Sequence, residues 1–465
     1  MTETHEWSPP AMGKTPIDST SGPAVRRLNA YLRQVAGPGA ALNAVVAVDL
    51  ERGLADAERL DELAAAGHRC GSLHGMPVVV KDNIDVAGLP TTNGSASHDG
   101  SPAATDATVV RRLRRAGAIV FGKANMDEMA LGATGANSRY PKVVNAWAAD
   151  RLPGGSSGGS AVAVSAGLAY GALGSDTGGS VRTPAAFNGI VSLRPTTGAL
   201  PSEGVLPLSP IFDTVGPMGR NVDTVQQLLA AMTDSLPGVS GSRLANYPRR
   251  DGGAPLEGLR IGIFGRYFFE IASDEVVAAV MGGAQALTNM GAVLVDVDVS
   301  GVASTQDQMS TIMLRDGYLT YRDLIDDDHT LVHRAVLERV LQGKSVTDAD
   351  YADALAAKEQ WARNVEQSFE SIDMFLLPTT PVVAPLIGNN PSEVEAVMNV
   401  TQFTFPWSFA GVPAMSIPCG MSEAMPVGMQ LVGPRGADLA VCHIASLYEH
   451  ETLWDRAFDE SRSES

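Results

Sequence analysis

Two glycine-serine clusters and one lysine carry the chemistry this chain can offer. The segment RLPGGSSGGSAVAVSAGLAYGALGSDTGGSVRTP, residues 151–184, holds both clusters, separated by a run of small apolar residues. Glycine at that density is entropically costly, so it marks backbone that must approach a ligand or take angles that other residues resist. In the second cluster, SDTGGS, Ser180 follows two glycines, and successive N–H groups there can line a concavity beside its hydroxyl. Acyl transfer needs that pairing, a nucleophile next to donors aimed at the oxyanion it creates. A tight turn with Ser180 as the N-cap of a helix, SVRTPAAF, accounts for the same residues. Lys81 ends the apolar run of MPVVVKD. Burial there favours the neutral amine and suits it to act as a base, at a cost of roughly 4 to 5 kcal/mol for a pKa brought near 7. A lysine snorkelling to water from a strand end fits the strand equally well.

The surrounding pattern says which elements hold these groups. MPVVVKD reads as a buried strand, and DATVVRRLRRAGAIVFGKANMDE as a helix followed by a second apolar strand. Strand-helix-strand alternation points to an α/β sheet. Upstream, AVRRLNAYLRQV and RGLADAERLDELAAAG space apolar residues as outer helices do, which predicts an N-terminal helical segment over 1–65 ahead of a catalytic domain over 66–465. Residues 235–258 read as a loop by composition, followed by the strand LRIGIFG. That point is either a domain boundary or a break within one sheet, since FLLPTTPVV, AMSIPCG and VGMQLVG supply further strands. Residues 301–372 read as a helical excursion.

Composition narrows the function classes. Lys and Arg number 34 against 52 Asp and Glu, a net charge of −18, which disfavours broad contact with a phosphate backbone and hence a nucleic-acid partner. The start, MTETHEWSPPAMGKTP, has no apolar core of a signal peptide, and no run reaches the roughly 18 apolar residues of a membrane span, so a cytoplasmic protein without a membrane partner is expected. Cys70, Cys419 and Cys442 form neither a disulfide framework nor a metal-ligand spacing. His329 and His333 in HTLVH have helical spacing but lack the glutamate of the zinc-protease motif, so no metal is expected.

Taken together, LHGMPVVVKDNIDVAGLPTT, DATVVRRLRRAGAIVFGKANMDEMALG, GGSSGGS, SDTGGS, FTFPWSFAGVPAMSIPCG and MPVGMQLVG resemble the amidase signature family of serine hydrolases over nearly the whole chain. The resemblance implies an α/β fold with a large mixed central β-sheet covered by helices on both faces. It also implies a Ser-Ser-Lys triad with no cofactor, a small-molecule amide substrate and a homodimer. The family lysine matches Lys81, the bridging serine Ser156 and the nucleophile Ser180, 24 residues further on, with a cis peptide before Ser156. The N–H groups of Thr177, Gly178, Gly179 and Ser180 are then the oxyanion hole. Ser157, Asp176 and Arg182 are the expected supporting residues, and Met126, Phe403 and Trp407 the expected apolar wall of the acyl pocket. Asp82 and Asn83 are placed to orient Lys81, whereas Asp85 and Asn125 read as turn-formers.

Two rivals remain. GGSSG also satisfies the nucleophile-elbow pattern of α/β-hydrolases, which would make Ser156 the nucleophile of an esterase, but the preceding NAWAADRLP is a poor strand. Within the family, the alternative is the glutaminase subunit of a tRNA-dependent amidotransferase. Its AAFCG stretch is AAFNG here, and RPTTGALPSEGVLPLSP replaces its KPTYGRVSRYG region. Those departures favour a free-standing hydrolase of a small aryl or otherwise apolar amide, urea, carbamate or hydrazide, like the mandelamide and indoleacetamide hydrolases.

Overall fold

Met-Pro-Val-Val-Val, the run that leads into Lys81, has no polar position to turn toward water, and the sheet explains why. In the computed structural model, which describes residues 21–233, 253–264, 266–388 and 393–454, this run and its lysine form strand β2 (Met76–Lys81). Val78 and Val80 join one apolar cluster with Leu113 and Leu228, while Val79 joins another with Leu28 and Ala161. Both faces of the sheet are therefore covered by helices, as a continuous apolar run requires.

Among the described residues, eleven strands form one mixed sheet. The others are β1 (Val45–Val48), β3 (Ala118–Ala124), β4 (Gly171–Asp176), β5 (Val191–Arg194), β6 (Thr214–Gly219), β7 (Arg260–Phe264), β8 (Val293–Val297), β9 (Met374–Pro378), β10 (Ala414–Ser422) and β11 (Met425–Val432). Their order is β1-β3-β2-β4-β6-β5-β10-β11-β9-β7-β8. β2 runs parallel to both β3 and β4, and β7 runs parallel to β8 and β9. The segment after residue 258 thus completes the same sheet rather than starting another. The loop expected over 235–258 lies, up to residue 252, outside the described residues.

Two features depart from the sequence pattern. Between the predicted N-terminal helices, observed at Pro23–Ala36 and Leu50–Ala65, β1 pairs antiparallel with β3 and caps that edge of the sheet. Four residues are too short for periodicity to separate from a loop. The excursion is helical, at Thr305–Asp328, Arg334–Gln342 and Asp348–Ser368, and it docks firmly: Trp361 Nε1 donates to the Pro406 carbonyl at 2.7 Å. His329 and His333 do not share a helix, because His329 opens a short 3-10 turn and His333 caps the helix that follows. Among the described residues, no helix is long and apolar enough to cross a membrane.

For function, the decisive feature is that β2 and β4 are parallel neighbours, with Val80 opposite Leu173. Their carboxyl ends, Lys81 and Asp176, emerge at one edge, where open α/β sheets place ligands.

Candidate active site

Lys81 is completely buried at the end of β2, and its Nζ lies 2.7 Å from Ser156 Oγ and 2.8 Å from Ser175 Oγ. Burial brings its pKa down to about 7, with Asp127, Asp176 and Asp213 opposing the fall. An amine with that pKa exchanges protons readily at neutral pH. Ser175, which sequence reasoning missed although it opens the quoted SDTGGS, is held in turn by Asn83 Nδ2 at 3.1 Å. Asn83 therefore reaches Lys81 through Ser175. Asp82 does not: its carboxylate pairs with buried Lys123 at 3.3 Å and accepts from Thr92.

Ser156 follows a cis Gly155–Ser156 peptide at the mouth of the helix Gly158–Ser165, every residue of which is buried. Ser157 ties this turn to β4, because its Oγ donates to the Ser175 carbonyl at 3.1 Å and accepts the Ser175 N–H at 3.3 Å. Its own N–H donates to the Ser180 carbonyl at 3.1 Å, which brings the two glycine-serine clusters together. Ser180 is half-buried where Lys81 and Ser156 are fully enclosed. The N-cap of the following helix, Arg182–Asn188, is Val181, so Ser180 is not the cap. Residues 145–155 form no strand, which removes the structural context of a nucleophile elbow.

Asp176 organises the nucleophile loop. Its carboxylate accepts from Gly179 N–H at 2.8 Å, Val181 N–H at 3.3 Å, Arg182 Nε at 3.1 Å and Arg194 at 2.9 Å. Burial opposes its ionisation, but the Arg182 and Arg194 guanidinium groups overcome that and hold the carboxyl well below the usual range. Arg194, at the end of β5, carries no motif signal in the sequence; it also donates to the Phe212 carbonyl at 2.8 Å. Asp176→Asn keeps the shape but removes the counter-charge that two buried guanidinium groups share. We expect a loss of about 3 to 5 kcal/mol in denaturant unfolding; an unchanged midpoint would contradict this role.

The expected oxyanion hole needs one correction. The Gly179 N–H is directed at Asp176, not toward a substrate, leaving Thr177, Gly178 and Ser180 of the expected set. Gly179 has φ +130 and sits against the Thr404 side chain, so only glycine fits this turn. Thr177 Oγ1 donates to Asp213 at 2.6 Å, a carboxyl that burial raises to about 6.

The expected acyl wall is also revised. Phe403 and Trp407 belong to an aromatic core, with ring centroids of Phe403 and Phe268 5.1 Å apart and of Trp407 and Phe375 5.0 Å apart. Met126 is buried in the same apolar cluster. Within FTFPWSF it is the polar residues that reach the site: Thr404 Oγ1 donates to the Gly178 carbonyl at 2.6 Å, and Ser408 Oγ accepts from Arg182 at 2.7 Å. A small cavity beside Ser175 and Thr177 is lined instead by Asn83, Leu200, Leu206 and Val215. Asn125 is more than a turn-former, since its amide donates to the Asn43 and Pro141 carbonyls at 2.9 and 3.0 Å.

Known proteins resemble the chain over most of its length. A family model described as Amidase matches residues 26–442. A glutamyl-tRNA(Gln) amidotransferase subunit from Synechococcus sp. (strain CC9311) is 34% identical over 447 residues, covering 90% of this chain and 92% of that protein. A crystal structure described as an amidase superposes with a TM-score of 0.82 at 31% identity, covering 92% of this chain and 96% of the other. A chain from a vestigial protein complex, described as revealing the origins of an s-triazine catabolic enzyme, superposes at 0.83 with 30% identity, covering 92% and 95%. With a family match spanning most of its length and a mixed sheet that carries the motif residues to one edge, the chain belongs to the amidase signature family of C–N bond hydrolases.

Proposed function

We propose that this chain hydrolyses a carboxamide through an acyl-enzyme on Ser180, with Ser156 and Lys81 as the proton relay. The observation that carries the reading is the 2.7 Å contact between Lys81 Nζ and Ser156 Oγ in a fully buried setting. Neutral Lys81 accepts the Ser156 proton while Ser156 takes that of Ser180, and Ser180 Oγ bonds to the carbonyl carbon. The N–H groups of Thr177, Gly178 and Ser180 receive the oxyanion. The C–N bond then breaks as Ser156 passes its proton to the departing nitrogen and recovers one from Lys81. Water repeats the relay and releases the acid.

For the substrate, the glutamyl-tRNA(Gln) amidotransferase proteins among the relatives support an ammonia-releasing reaction on a glutamine-like primary amide, with a protein partner, over a free-standing aryl amidase. Arg339, which faces the Asp127 carboxyl, fits a substrate that carries an anionic group. It is 5% exposed, and among the described residues its one hydrogen bond is to the Leu131 carbonyl at 3.5 Å. The free-standing reading keeps the support of the structural match to a chain described simply as an amidase, and of the AAFNG and RPTTGALPSEG departures.

Ammonia or amine release from glutamine, arylacetamides, aliphatic amides and ureas separates the two, measured on the chain alone and with any protein that co-purifies. Glutamine turnover is expected, and Arg339→Met should raise its KM roughly tenfold or more, with a smaller KM change for neutral amides. Turnover confined to neutral aryl amides would restore the free-standing reading.

A further inference from the structure

Asp127 is the buried acid that the relay leaves unused. It lies just past the end of β3, and its backbone N–H donates to the Ser156 carbonyl at 3.1 Å. Its Oδ1 accepts from the N–H groups of Thr134 at 2.8 Å and Gly135 at 3.0 Å. Its Oδ2, in contrast, is buried without a hydrogen-bond partner among the described residues. That oxygen is pressed against Gly155, where any Cβ would collide with it, so the glycine preceding Ser156 is also the place where this carboxylate fits. The residue thus touches both halves of the cis Gly155–Ser156 unit, one through its main chain and the other through its side chain.

We propose that Asp127 is a positioning residue of the Ser-Ser-Lys relay, fixing the Ser156 turn and supplying the negative charge against which Lys81 takes up its proton. A buried carboxylate oxygen with no donor is costly. The cost is offset when a positive charge forms nearby, which happens when the Ser156 proton moves to Lys81. No covalent bond to Asp127 forms or breaks; its charge acts on Lys81 through space, without the direct hydrogen bond that joins aspartate to histidine in a Ser-His-Asp triad.

The charged groups facing the pair define the effect. Lys81 faces Asp127, Asp176 and Asp213, and of these carboxylates Asp127 acts on it most strongly. Asp176 is already neutralised by Arg182 and Arg194, and Asp213 is held by Thr177. Asp127 itself faces Lys81, Lys142 and Arg339. Burial raises its own pKa to about 6, with Lys81 and the Thr134 and Gly135 N–H groups opposing the rise.

The inference rests on the proposed relay, and one experiment keeps the two distinguishable. The pH dependence of kcat/KM, and of labelling by a fluorophosphonate, is measured for the wild-type chain, Asp127→Asn and Asp127→Ser. Serine is smaller and keeps a hydroxyl oxygen that can turn toward the Thr134 and Gly135 N–H groups. Removing the acid makes Lys81 easier to deprotonate, so the acidic limb should move to lower pH by about one unit in both variants, with a lower plateau. A wild-type chain with no acidic limb and no label on Ser180 would sink the relay itself. A normal wild-type limb that stays in place, or moves to higher pH, in folded variants would overturn only the role of Asp127. Loss of folding in both variants would reduce Asp127 to a structural brace.

Discussion

Ser180→Ala is expected to lower amide hydrolysis roughly 10⁴-fold or more while leaving the fold intact. The expectation separates chemistry from stability because of where the side chain sits. Among the described residues Ser180 Oγ makes no hydrogen bond, whereas the Ser180 carbonyl, which the substitution keeps, accepts from Ser157. The thermal midpoint should therefore barely move, as for substitutions that break no packing or hydrogen bond. A fluorophosphonate should label Ser180 in the wild-type chain and fail to label the variant. Peptide mapping that placed the label on Ser156 would make Ser156 the nucleophile and Ser180 a loop residue.

Lys81→Met should cost about 10² to 10⁴ in kcat, the range of a general base. Methionine fills much of the same volume, and the change removes the amine from Ser156 and Ser175 without burying a new charge. The direction of the pH dependence follows from the cause of the shift. Desolvation favours the neutral amine and places its midpoint near 7, so the working form accumulates as pH rises through 7 and is lost below it. The wild-type rate should climb across that interval and level off above it. The same limb should be missing from whatever rate the methionine variant retains. A variant that kept most of the activity, with the limb unchanged, would exclude Lys81 as the base.

The two glycine-serine clusters are legible in the sequence because their chemistry is local. Glycines flank each serine, and the residue types needed for acyl transfer lie within 30 positions of one another. The strands are legible for a similar reason: β2, β3, β9 and β11 are buried along nearly all of their length, and their sequences are largely apolar, broken only by Lys81, Lys123 and Gln430. Asp127, Arg194 and Asp213 have no such signal. Each is a charged residue in a loop or at a strand end, where a solvated surface charge is the ordinary outcome. Only burial and partner atoms distinguish them. The aromatic residues mislead in the opposite direction, because proximity to a motif makes Phe403 and Trp407 look like pocket wall when their rings complete the core.

By itself, then, the order of residues determined the reactive inventory, a lysine ending an apolar strand and two serines set among glycines, together with the strand content of the sheet. Folding alone decided which groups meet. Lys81 and Ser156 are 75 positions apart, and contact between them depends on β2 and β4 running parallel and on an all-buried helix of small residues approaching that sheet edge. The state of each group is likewise a tertiary property. A pKa responds to lost water and to neighbouring charge, and both are supplied by segments distant in the chain: Asp127 beside Gly155, Arg194 against Asp176, and Thr404 over the turn at Gly178 and Gly179.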